Sequence, residues 1–335
     1  MKNILVTGGL GYIGSHTVVA LIEKGFHPVV VDDLSNSSPE VLEGIAQITG
    51  AKPTWYEQNV CDAAAIEEIM RKEEIHAVIH FAAFKAVGES VEKPLDYFHN
   101  NVGGLNAVLQ AMSNTGVDHM VFSSSCTVYG DTSLSPIDET HKRSKAISPY
   151  GTTKIICEEI LEDCATFTPL KVVSLRYFNP VGAHESSLIG ELPIGVPNNL
   201  VPYITQTAAG IRPELTVFGK DYPTPDGTNI RDFIHVVDLA DAHVRSLSFS
   251  LEHDFEFEVF NLGTGKGHSV LEVIKSFEKV SGKRLNYSFG PRRAGDVVQI
   301  WAKPDKAKSE LGWTAERNLD QMMLSAWEWQ QSLDS

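Results

Sequence analysis

The 335-residue chain carries a net charge of −15, with 42% apolar and 21% charged residues. That length exceeds what one hydrophobic core usually holds, so two unequal lobes are expected. The acidic balance argues against nucleic acid or an anionic membrane as a partner, and a phosphorylated ligand would need a few local arginines to overcome it.

The first strand, expected over 2–7, leaves no room for a signal peptide. It runs into Gly8, Gly11 and Gly14, spaced G-x-x-G-x-x-G, and a helix is expected over 13–24. A pyrophosphate lying on a helix N-terminus needs bare backbone amides, and glycine supplies both that clearance and the tight turn. A second strand over 28–31 ends in Asp32. A carboxylate there accepts hydrogen bonds from both ribose hydroxyls and repels a 2′-phosphate, so the reading is NAD and not NADP. Further strands are expected to end at Gln58, His80, Ser123 and Arg176. Helices are expected over 41–49, 63–72, 96–115 and 150–166. The alternation predicts an α/β fold with a doubly wound parallel, Rossmann-type sheet. Gly8, Asp32, Phe81-Ala82-Ala83 and Ser123-Ser124-Ser125 all follow strand ends and should line one crevice.

His76 and His80 read as strand-edge histidines, and Glu67-Glu68 and Glu73-Glu74 as helix surface around Arg71-Lys72. Cys61, Cys126, Cys157 and Cys164 form no C-x-x-C pair and no zinc spacing; they read as reduced thiols of a cytoplasmic enzyme without a metal. No apolar run reaches about 18 residues, so no membrane span is expected.

After Asn179-Pro180 the pattern changes. Residues 181–198 read as a loop over the crevice, 199–209 as a helix, 215–218 as a strand and 222–228 as a turn. Helices are expected over 237–249 and 269–280, with a strand over 258–262 between them. The remainder reads as mixed and short. Asp238, Asp241 and His243 fall on one amphipathic helix and read as a solvated face. The expected division is a cofactor domain over 1–180 with a return segment near 230–262, and a smaller α/β substrate lobe over 181–229 and 263–335.

Tyr150 and Lys154 lie one turn apart at the start of a helix announced by Ser148 as N-cap and Pro149 at N1. A free phenol has a pKa of about 10, too high for a base near neutrality. A neighbouring ammonium and a cationic nicotinamide favour the phenolate. Ser125, past the fifth strand, can bond the oxygen that gains or loses the proton. Arg231 and Arg293, flanked by glycine or turn residues, suit bidentate phosphate contacts.

The set Ser125, Tyr150 and Lys154 resembles the proton-transfer set of the short-chain dehydrogenase/reductase superfamily. The start over 7–16 resembles its extended branch, which works on nucleotide sugars. So do Phe81-Ala82-Ala83-Phe84-Lys85-Ala86-Val87-Gly88-Glu89-Ser90, Leu175-Arg176-Tyr177-Phe178-Asn179-Pro180-Val181-Gly182-Ala183, Pro197-Asn198-Asn199-Leu200 and Arg231-Asp232-Phe233-Ile234-His235. The resemblance implies reversible epimerisation of UDP-glucose and UDP-galactose at sugar C4, through a 4-keto sugar and a tightly held NAD. It implies NAD contacts at Tyr12, Ile13, Asp32, Asp33, Leu34, Ser35, Asn36, Ser37, Asn59, Val60, Phe81, Ala82, Ala83, Phe84, Lys85, Asn100, Ser125, Tyr150, Lys154 and Phe178. For the UDP-hexose it implies Lys85, Ser125, Tyr150, Asn179, Asn199, Leu200, Thr216, Val217, Phe218, Arg231, Phe233, Arg293, Asp296 and Ile300. The chain departs from the usual pattern at Asn59, where the family commonly has Asp; an amide can also bond an adenine amino group.

Ile300, ahead of Trp301, is smaller than the tyrosine that crowds the sugar C2 substituent in such enzymes, so some activity on UDP-N-acetylhexosamines is expected. A dehydratase or decarboxylase of the same branch would carry an acid before Val128-Tyr129-Gly130, where Cys126 and Thr127 stand. A non-catalytic sensor would lack the Tyr or the Lys. The helices over 96–115 and 150–166 carry the face through which relatives form a two-fold dimer, so a homodimer is expected.

Overall fold

The computed structural model describes residues 1–132, 134–293 and 296–333; the last two residues of the expected substrate lobe, and 294 and 295, lie outside these. Seven strands form one parallel sheet. Its spatial order is Phe257–Leu262, Lys171–Tyr177, His119–Ser123, Ile75–His80, Asn3–Thr7, His27–Asp32, Thr54–Glu57. The chain starts in the middle, winds to one edge, then crosses to the other. The reversal between Asn3–Thr7 and Ile75–His80 opens a crevice beyond the strand ends.

Helices cover both faces, and the middles of the central strands are largely apolar for that reason. The two-residue period of a strand sorts them. Ile4, Val6, Val30, Ile79, Val121 and Val173 join the core on one face with Val18, Leu21 and Leu239. Leu5, Val29, Val31, Val78, Met120 and Val172 join the other with Ile66, Leu105, Val108 and Leu161. Each such side chain contributes about 1.5–3 kcal/mol by its burial.

Helices Val41–Thr49 and Ala63–Lys72 fall where the sequence pattern puts them. The tyrosine helix runs Pro149–Phe167, with Ser148 capping the Gly151 amide and Pro149 in the first turn. The expected helix over 96–115 is not one α-helix. A short turn Pro94–Tyr97 leads into a π-helical stretch Phe98–Gly103, and only Gly104–Thr115 is α-helical. The wider turn lets buried Asn101 face inward, where its amide bonds the backbone of Phe84 on both sides and the Thr153 hydroxyl. Local propensity does not encode such an insertion.

Three more expectations need correction. The C-terminal remainder is not all short: Leu319–Ser332 is a regular helix with an Asn318/Gln321 capping box, burying Met322, Met323, Ala326 and Trp327. Its Met and Trp pattern was readable once Asn318 and Gln321 were paired three apart. Nor is the face bearing Asp238 and His243 solvated. Helix Val236–Glu252 lies between the sheet and the C-terminal segment, leaving Asp238 4% and His243 0% exposed. Asp238 accepts from the backbone of Glu316 and Arg317 and from the Arg317 side chain, which makes its burial tolerable. Asp241 is partly exposed and pairs with Arg245. His80 is likewise no edge residue; it is buried and bonded to the Thr7 hydroxyl at 2.8 Å.

Beyond the main sheet, Ile230–His235 lies between Gly267–Ser269 and Gln299–Ile300 and also pairs with Asn179–Val181. Leu215–Phe218 pairs with Tyr287–Gly290. Their helices enclose a separate core of Val181, Ile204, Val217, Phe233, Phe277 and Trp327.

Candidate active site

The glycine turn is folded tightly on itself. Gly8 has a φ of +68°, and a Cβ there would stand 2.8 Å from the Ala82 nitrogen. At Gly14 it would stand 2.2 Å from the Gly8 carbonyl oxygen. Helix Tyr12–Glu23 then starts from Gly11 with no side-chain cap, so the amides of Tyr12, Ile13 and Gly14 are left for an anion. Asp32, 6% exposed, stands at the adjacent strand end. It accepts from the amides of Leu10 and Leu34 at 3.0 and 3.1 Å and from Ser37 at 2.6 Å. Among the described residues no ion pair joins it to Lys or Arg. A free amide nest beside a carboxylate without a cation fits a dinucleotide with a bare adenosine ribose. Asp33 holds Ser35 and Asn59, and Asn59 in turn accepts from the Cys61 amide. Val60 is buried beside Gly104. Asn36 is exposed at the loop tip. Along the next strand end, the Phe81 ring lies 4.7 Å from His243, and Phe84 lies near Tyr97. Asn100 donates to Asn101 at 3.0 Å.

Ser125, Tyr150 and Lys154 come together over the sheet. Ser125 caps the turn Cys126–Tyr129 and accepts from the Thr127 amide and hydroxyl. Lys154 is 3% exposed, lies 6.0 Å from the Tyr150 ring centre and donates to the Ser123 carbonyl at 2.6 Å. Burial pulls its ammonium down to about 8. Burial, with Tyr177, pushes the Tyr150 phenol well above its ordinary range, while Ser125 pulls it down. Lys154 is committed to a carbonyl, and desolvation of Tyr150 dominates.

Beneath this trio the sequence reading missed a buried charge centre. Glu158, 0% exposed, accepts two hydrogen bonds from Arg176 Nε and one at 2.6 Å from Arg176 Nη2. It also accepts from Ser124, Ser174 and Arg143. The spacing Tyr150, Lys154, Glu158 puts three groups on one helix face and was its only signal. Tyr177 bonds Ser123 through their hydroxyls and was also missed.

On the far side, Arg231 sits on a strand and not in a turn, 3.6 Å from Asp296. Arg293 lies 4.7 Å over the Phe218 ring. Arg231 acts on Cys126, whose thiol burial pushes up to about 12, so the phosphate-suited arginine lies close to the Ser125 turn. Asn179 begins a strand, Thr216 is half-buried, and Asn199 and Leu200 begin helix Leu200–Ala208. Lys85 reaches Glu191 at 3.2 Å. Val217 and Phe233 are not brought to the crevice by their side chains: both are packed in the smaller core, leaving only backbone to a ligand. Phe178 and Ile300, each 4% exposed, pack together with Val128, Tyr129 and Ala302 beside the Ser125 turn.

The family model described as GDP-mannose 4,6 dehydratase matches residues 5–325. The UDP-glucose 4-epimerase of Pasteurella multocida is 52% identical, covering 98% of this chain and 97% of its own. Among solved structures, the UDP-glucose 4-epimerase of Stenotrophomonas maltophila with bound NAD and formylated UDP-arabinopyranose superposes with a TM-score of 0.97. It is 49% identical and covers 100% of this chain and 99% of that one. The enzyme of Bifidobacterium longum in complex with NAD+ and UDP gives 0.95 at 46% identity, covering 99% and 98%.

Proposed function

Because this chain belongs to the UDP-glucose 4-epimerases, within the family that the GDP-mannose 4,6 dehydratase model describes, we propose that Ser125, Tyr150 and Lys154 carry its chemistry. The enzyme is an isomerase that interconverts UDP-glucose and UDP-galactose at C4 through a 4-keto sugar, with NAD as cofactor. The observation that carries the site assignment is the meeting of the buried lysine, the phenol and the Ser125 hydroxyl over one strand end, with Cys126 and Thr127 offering no acid for dehydration.

The glycine turn and Asp32 hold the dinucleotide. When bound, NAD supplies a reversible hydride acceptor for C4 and a cationic ring that favours phenolate. Tyr150 takes the 4-hydroxyl proton and Ser125 hydrogen-bonds the same oxygen. Lys154, fixed on the Ser123 carbonyl, holds a positive charge beside the tyrosine. After the keto sugar turns over, Tyr150 returns the proton. Residues 1–180 with 230–262 form the NAD half, and 181–229 with 263–335 the UDP-sugar half. The enzyme is a cytoplasmic homodimer of galactose metabolism. The free cysteines are in keeping with a reducing compartment, and exposed Val91, on the short helix Val87–Glu92, and Leu95, in the turn Pro94–Tyr97, precede the helix proposed to pair. Among the described residues no helix is long and apolar enough to cross a membrane.

The test is interconversion of UDP-glucose and UDP-galactose by the purified protein, with products separated chromatographically; absence of interconversion overturns the reading. The N-acetyl forms belong in the same panel. Ile300→Tyr adds a ring at a buried position and should suppress the N-acetyl reaction selectively. Equal loss on both substrates would show that Ile300 does not gate the C2 substituent.

Arg231 and Arg293 take the diphosphate. Arg231→Ala or Arg293→Ala should each weaken UDP binding by about 2–3 kcal/mol, because each removes a charge-assisted contact. Calorimetric titration with UDP checks this, and unchanged affinity in both variants would remove both arginines from the diphosphate site.

A further inference from the structure

Residues 182–198 run from Tyr12, beside the glycine turn, past Lys85 to Asn199, and are fastened unevenly. The first part is held from below. Tyr12 donates to the Gly182 carbonyl at 2.6 Å, Ser332 to that of Ser187 at 3.0 Å, and Trp329 Nε1 to that of Glu191 at 3.0 Å. Gly190 lies so close to Trp329 that a Cβ there would stand 2.5 Å from the indole. The second part lacks such burial: Leu192, Ile194 and Val196 are 52%, 66% and 64% exposed.

Glu191 is the junction. Its side chain is only 11% exposed. Its Oε1 accepts from Lys85 Nζ at 3.2 Å and from Asn199 Nδ2 at 2.6 Å. Lys85 follows a strand end of the main sheet, and Asn199 opens a helix of the smaller lobe. An asparagine at an N-cap ordinarily bonds the first amides of its own helix. Asn199 makes no such bond and reaches across to Glu191.

We propose that Glu191 is a positioning residue that latches this crossing segment over the sugar, its carboxylate tying Lys85 on the cofactor side to Asn199 on the substrate side. The inference rests on the epimerase reading and deepens it. In that reaction C4 gives up a hydride and its hydroxyl a proton, and the keto sugar must turn over inside the crevice before both return. If the mouth opens at that stage, the keto sugar leaves oxidised. The hydride then stays on the nicotinamide and the proton on Tyr150, so the enzyme is left reduced and idle. A crossed charge-assisted tie is suited to preventing this, because it keeps the segment closed without a large buried area.

Glu191→Ala holoenzyme incubated with UDP-galactose should turn over about tenfold more slowly, the scale of losing a hydrogen bond to a charged group. It should also accumulate the near-ultraviolet absorbance of reduced nicotinamide, and free keto sugar should be trapped in the filtrate. Glu191→Gln, which keeps an oxygen toward Asn199, should leak less than Glu191→Ala and more than the parent; it carries the test if the alanine variant does not fold. A merely structural role would lower turnover together with thermal stability and leave absorbance and filtrate as in the parent. Folded variants that leak no more than the parent overturn the latch. A parent that does not interconvert the two sugars overturns the epimerase reading itself.

Discussion

Tyr150→Phe should lower kcat by about 10²–10⁴, the usual worth of a positioned general base. The ring remains and its packing at the start of helix Pro149–Phe167 is kept, so the loss is that of one hydroxyl. The neighbours offer no substitute. Lys154 is committed to the Ser123 carbonyl, and Ser125, an acceptor for Thr127, is not a base at neutral pH. UDP binding should be little changed, because Arg231 lies on the separate small sheet, where it pairs with Asp296 at 3.6 Å, and not on the tyrosine helix. Steady-state turnover with UDP-galactose, beside a UDP titration, separates the two effects. Near-normal turnover would place the base elsewhere.

The second large effect is on stability. Glu158→Ala should cost about 3–5 kcal/mol, because it leaves the Arg176 guanidinium buried without its anion. Arg176 is itself 4% exposed, and Ser124 and Ser174 lose the same acceptor. Chemical denaturation of the parent and variant measures this; a difference under about 1 kcal/mol would show that the centre relaxes around the loss. The pH dependence follows from its sign. Burial pushes the Glu158 carboxyl up, but Arg176, Ser124 and Ser174 more than offset this and hold it below its ordinary range. The contribution is therefore present above the unfolded value of about 4.3 and is lost as the pH falls through the lower folded value. Glu158→Ala should flatten that acid limb. Because the centre sits under Ser124 and Lys154, activity should fall with it.

Some features of this chain were decided by short stretches of sequence. The glycine turn, the acid at the second strand end, and the helix opened by Ser148 and Pro149 each follow from a few adjacent residues. Backbone clearance, a strand's two-residue period and a capping bond act within one or two turns of chain. The parallel, doubly wound class of the sheet also follows from alternating elements and the handedness of crossovers. Other features depended on what packs against what. Asp238 and His243 look like a solvated face until the segment around Trp313 covers Asp238, which then needs internal partners, and Phe81 and Tyr177 cover His243. Val217 and Phe233 sit in motifs that resemble ligand contacts, yet their side chains fill the smaller core. Glu158 gains its meaning only when Arg176 from the neighbouring strand arrives beside it. The tie of Lys85 and Asn199 to Glu191 joins residues remote in sequence. Sequence by itself determined the strand-to-helix grammar and the functional groups on offer at the strand ends, because those rest on local backbone geometry and functional-group chemistry. Only the tertiary structure decided which polar groups are desolvated and with whom they pair, because desolvation is set by the elements that close over a site and not by the residues flanking it in the chain.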